Sequence, residues 1–124
     1  MNYAKIDING KTYPLALTAR VIDNLQAING DEWNNELDRI LNSNRMRDMF
    51  WLLAQMMDAG RRSCKYEGIE TPQPPDVEEL LDTVHLNRMT EMAESIKLAV
   101  SMSAPPDVTL EDDGKNLKAT DPTA

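Results

Sequence analysis

The sequence predicts an α+β fold that is mostly α, with an N-terminal β-hairpin over about residues 4–15 and about five helices packed as a small bundle over about 18–102. Three observations carry this. An Asn9-Gly10 pair separates two short alternating runs, Lys5-Ile-Asp-Ile8 and Lys11-Thr-Tyr-Pro-Leu15. Apolar residues then recur at helical spacing from Val21 to Val100, punctuated by Gly30 and by Thr71-Pro-Gln-Pro-Pro75. Among them, Asn44 to Gly60 is the most apolar run. At about 100° per residue its Met46, Met49, Phe50, Leu53, Met56 and Met57 fall on one broad face, so the flanking elements are expected to pack on it. With 124 residues the chain suffices for one globular domain, expected over 1–103.

The hairpin follows from its turn. Asn-Gly tolerates the positive φ that a type I′ turn requires at both central positions. A two-residue loop sets Ile8 opposite Lys11 and Ile6 opposite Tyr13. Ile6, Ile8, Tyr13 and Leu15 then share one side, and Asp7 and Thr12 the other. Pro14 has no backbone donor and belongs at an edge or strand end. A lone hairpin is barely stable, so its apolar side is expected on helices or on another chain's strands.

Thr18 is placed to cap a first helix ending at Gly30, with Val21, Ile22, Leu25 and Ile28 as its apolar stripe. Asp31 is read as the cap of a second, carrying Trp33, Leu37, Ile40 and Leu41. Ser43 or Asn44 opens the central helix, which ends near Gly60 or runs a turn or two towards Tyr66. Arg61, Arg62 and Lys65 suit a helix C-terminus, an acidic-ligand site being the alternative. After the proline loop, Asp76 and Glu79 form a capping-box variant for a short helix with Val77, Leu80, Leu81 and Val84 inward. The last helix, about 86–102, is expected to bury Leu86, Met89, Ala93, Ile96 and Val100. Pro105-Pro106 stops it. Residues 104–124 are polar and acidic and are expected to be a disordered tail.

Composition narrows function. A formal charge of −8 argues against duplex nucleic acid as the main partner. The lone cysteine, Cys64, excludes an internal disulfide and fits a reducing compartment. Neither a signal-peptide pattern nor an apolar run of about 18 residues is evident, so no membrane role is expected. A catalytic constellation is missing as well. His85 is the only histidine and is read as a helix-junction or surface residue, and Cys64 as a free helical thiol. Carboxylates such as Glu32, Glu36, Glu78, Glu79 and Asp82 read as solvated helix faces. Glu111-Asp-Asp-Gly114 lacks calcium-loop patterning, and no glycine-rich phosphate loop occurs. The expectation is a non-enzymatic protein without cofactor or metal.

The stretches Ile6-Asp-Ile-Asn-Gly-Lys-Thr-Tyr-Pro-Leu15, Leu17-Thr18, Met49 to Ala59 and Asp76-Val-Glu-Glu-Leu-Leu81, in that order, resemble the tail assembly chaperones of long-tailed bacteriophages. The likeness covers the layout of about residues 4–102. It implies a protein of the host cytoplasm, absent from the mature virion, that coats the tape-measure protein and helps recruit the major tail-tube protein. Many members are also made in a longer, frameshifted form. Homo-oligomerisation is left open.

Partner-binding candidates are Met49, Met56, Met89 and Met92, whose side chains adapt to varied apolar surfaces, together with Trp51 and Leu52. Trp51 projects away from the central stripe, beside Arg47, Gln55 and Asp58. It is expected either to be covered by the hairpin or tail, or to be an exposed anchor. Leu52 falls at the stripe's far edge. Two other functions are weighed: a structural virion component such as a head–tail adaptor or tail-completion protein, using the hairpin edge for strand addition, and a small acidic regulator or inhibitor that blocks a basic surface.

Overall fold

The computed structural model describes residues 3–43 and 45–103. Strands β1 (Ala4–Ile8) and β2 (Lys11–Leu15) pair antiparallel. Helices α1 (Ala19–Asn29), α2 (Trp33–Asn42), α3 (Met46–Tyr66), α4 (Val77–Thr83) and α5 (Met89–Ser103) follow. Single 3₁₀ turns, Gly30–Glu32 and Leu86–Arg88, introduce α2 and α5. The architecture is α+β and mostly helical, as the sequence predicts. Four helices are of full length, with 11, 10, 21 and 15 residues, whereas α4 is a seven-residue segment of two turns. The expectation of about five helices is corrected to four and this short segment. The expected acidic tail lies outside the described residues.

The hairpin is held by its turn. Asn9 and Gly10 have φ of 52° and 85°, and the register pairs Ile8 with Lys11, Ile6 with Tyr13 and Ala4 with Leu15. Ile6, Ile8, Tyr13 and Leu15 are buried, while Asp7 and Thr12 are exposed and hydrogen-bonded to each other. Pro14 breaks the alternation, being buried as well, because β2 lies on α3.

Helix α3 is the axis. It touches β2 and each of the other four helices. It runs through Gly60 to Tyr66 instead of stopping there, and the glycine has a packing reason. A Cβ on Gly60 would lie 2.1 Å from the Pro14 carbonyl oxygen. The missing side chain lets β2 descend onto the helix, where Ala16 N–H donates to the Met56 carbonyl at 3.2 Å. Around α3, Met49, Phe50, Leu52, Leu53, Met56, Met57, Ala59 and Cys64 are buried, a wider arc than the six-residue face expected. Met46 is only half-buried, at the helix's first turn.

Several boundary details differ from the sequence reading. Thr18 occupies the N-cap of α1 without a side-chain bond. Asp31 falls within the 3₁₀ turn and does not cap α2, and Arg45 immediately precedes α3. Ile28, expected in the α1 stripe, is 54% exposed. Leu86 is 75% exposed, because the 3₁₀ turn shifts the phase of α5, which buries Met92, Ile96, Ala99 and Val100.

Asp76 does cap α4: its Oδ1 accepts from the Glu79 N–H at 2.9 Å. Asp76→Ala should therefore cost about 1 kcal/mol, with Asp76→Asn retaining most of it, measured by urea unfolding.

Candidate functional site

The groups that would carry chemistry do not converge. His85 is exposed at the junction of α4 and α5, and Cys64 is buried inside α3. Among the described residues, no group of three or more His, Cys, Asp or Glu is arranged to hold a metal ion. No helix among them is long and apolar enough to cross a membrane.

Glu36 corrects the expectation of a solvated carboxylate. It is buried and bound by the Arg39 guanidinium through two contacts, at 3.2 and 2.5 Å. Arg39 also reaches Asp48 at 3.1 Å, joining α2 to the first turn of α3. The hydrogen bonds to Glu36 and then to Asp48 hold this guanidinium above its ordinary pKa. The arrangement fixes a helix corner and leaves no free acid.

At the other end of α3, Arg62 pairs with Asp58 at 2.7 Å. Arg61 and Lys65 line a cleft of about 120 Å³ with Ile69, Glu70 and Thr71. The Thr71 hydroxyl has no hydrogen-bond partner, but it is sealed from solvent and cannot serve an anion in that cleft. The basic residues remain where the helix dipole favours them. Nearby, Tyr3 donates to Glu67 at 3.1 Å, and burial, then Glu67, raises the phenol's pKa.

The six partner-binding candidates separate sharply. Leu52, Met56 and Met92 are fully buried, and Met49 nearly so. In this conformation Leu52, Met56 and Met92 serve the core and present no surface to a partner. Trp51 is half-buried and packs on the core's margin. One turn before it, Arg47 reaches Glu78 of α4 at 2.7 Å; one turn after it, Gln55 accepts from Asn24 of α1 at 2.5 Å. Gly60, where the hairpin docks, is nine residues on and so about 180° around the helix. The hairpin thus docks on the side of the helix opposite Trp51, and the tail lies outside the described residues.

Met89 and Met49 come together elsewhere. With Leu41, Ser43, Arg45, Met46, Thr90 and Ala93 they line a groove of about 190 Å³ between the α2–α3 corner and the start of α5. Half-buried Met46 and Met89 form its accessible apolar wall, and Met49 its floor. Sequence reasoning found Met49 and Met89 through their residue type but missed Leu41, Ser43, Arg45 and Ala93, which only tertiary packing brings to them. A second concavity, of about 290 Å³, lies by Tyr3, Leu17, Met102 and Ser103, where the chain passes into residues 104–124.

No family model, curated protein or solved structure matches this chain. The site must be read from its own residues.

Proposed function

We propose that the protein is a non-enzymatic binding protein of the tail assembly chaperone type, acting in the host cytoplasm. Its client is the tape-measure protein, with the tail-tube protein as a further partner. The observation that supports this most is the methionine-walled groove. It sets Leu41, Met46, Met49, Met89 and Ala93 beside the polar Ser43, Arg45 and Thr90, and it is built at the N-terminal end of the helix around which the fold is organised. Unbranched thioether side chains repack around different apolar shapes, which a long, repetitive helical client demands. Burial of one face of such a helix contributes about 25 cal/mol per Å² before ordering costs.

Co-expression with the tape-measure protein encoded in the same genome tests the reading. The chaperone should keep it soluble and co-purify with it, and Met89→Asp should reduce recovery of the complex at least several-fold. A client equally soluble without the chaperone would end this interpretation. Trp51 provides the contrast, because it points away from the groove. Trp51→Ala should lower stability by about 1–3 kcal/mol in thermal unfolding while leaving complex recovery at saturation unchanged.

Strand addition at the hairpin, needed by the virion-component alternative, meets obstacles at both edges. On β1 the outward Asp7 carbonyl already accepts from Arg88 at 2.5 Å. On β2 the outward Pro14 offers no donor and its carbonyl rests over Gly60. The acidic-regulator alternative predicts binding that collapses as salt rises, whereas apolar groove binding persists.

A further inference from the structure

Building on the groove as the client surface, we propose that it recognises an amphipathic helical segment of particular chemistry. The segment seats an apolar side chain against Met46 and Met89 and offers Arg45 a carboxylate one helical turn away. The argument rests on charge complementarity.

The chain carries a net −8, and carboxylates hold four of its arginines at close range: Arg39, Arg47, Arg62 and Arg88. Arg45 is different. Its side chain is 78% exposed, and its Nε lies 4.0 Å from an Asp48 oxygen that already accepts from Arg39 at 3.1 Å. Of the described residues lining the groove, Arg45 alone is charged. Glu91, next to the groove's Thr90, is occupied by Arg88 at 2.9 Å.

Folding gives only a weak reason for a cation here. Arg45 directly precedes α3, where the helix dipole disfavours positive charge, and its side chain makes no cap. Its compensation inside the fold is the long 4.0 Å pair with an Asp48 oxygen that Arg39 already holds, and a residue that breaks a local preference for so little is expected at a functional surface. In an otherwise acidic protein, a concavity whose described lining carries one cation and no carboxylate favours acidic segments over basic ones. Residues three or four apart on a helix share a face. A leucine-sized anchor with Glu or Asp at that spacing therefore meets the methionines and Arg45 together.

The test uses the full chain and two synthetic helical peptides of roughly 20 residues, long enough to hold helix. One has Glu four positions from each Leu; the other has Lys at those positions and is otherwise identical. Titration calorimetry at low salt should give the Glu peptide at least a ten-fold lower Kd, narrowing as salt is added. Arg45→Gln should remove most of that preference, and Arg45→Glu should reverse it, with circular dichroism unchanged because the side chain is exposed. Equal affinity for both peptides, with binding still lost in Met89→Asp, would overturn the charge assignment while leaving the groove as the client surface. If neither peptide binds, or Met89→Asp has no effect, both readings fall.

Discussion

Gly60→Ala is expected to destabilise the protein by about 1–3 kcal/mol or more, although it places a better helix former in the middle of a helix. The two effects oppose each other, and their sizes decide the sign. Helix propensity alone favours alanine by about 1 kcal/mol. Against it, the new Cβ would sit 2.1 Å from the Pro14 carbonyl oxygen and 2.6 Å from its carbon. Both are backbone atoms, so no rotamer change relieves the overlap. Either β2 lifts from α3, stretching the hydrogen bond from Ala16 N–H to the Met56 carbonyl, or the helix bends. Urea unfolding gives the sign. Hydrogen exchange at the Ala16 amide locates the damage, since that amide should lose protection first. A stabilised variant would mean that the hairpin does not rest on this helix.

The same contact shows what is legible in the sequence. The hairpin could be read residue by residue because its determinants are local: Asn9 and Gly10 supply the positive φ, and a two-residue loop fixes every cross-strand pair. Asp76 as a cap and Gly30 as a stop were legible for the same reason. The role of Gly60 was not, because its cause is Pro14, distant in sequence and brought near only by the fold. Glu36 resembles any helix-surface carboxylate until Arg39 is seen to bind it inside. Methionine type pointed to Met49 and Met89 in the groove, but the same signal pointed to Met56 and Met92 in the core. Residue type reports what a side chain can do, and the neighbouring helices decide where it does it. Arg45 carried a faint signal of its own, a cation at the wrong end of a helix.

Leu53→Ala should cost about 2–5 kcal/mol, and Leu52→Ala should cost a comparable amount. The second half of that statement separates two pictures of α3. If the helix buried only a stripe centred on Phe50, Leu53 and Met57, Leu52 at its far edge would be half-exposed, and truncation would cost little. Both leucines are instead fully buried. The reason is the surroundings of α3: β2, α1, α2, α4 and α5 all contact it, so protein lies against it on several sides. Removing either side chain loses its burial free energy and opens a cavity that neighbours on several sides cannot all collapse into. Equal losses for the two variants in urea unfolding, with unchanged m-values, would establish α3 as an enclosed axis. A Leu52→Ala cost below about 1 kcal/mol would return it to a one-faced helix, since surface changes lie within about 0.5 kcal/mol. The distinction bears on function. An enclosed α3 leaves its two ends, around Arg45 and Met46 and from Arg62 to Tyr66, and the half-covered side around Trp51 to offer a partner.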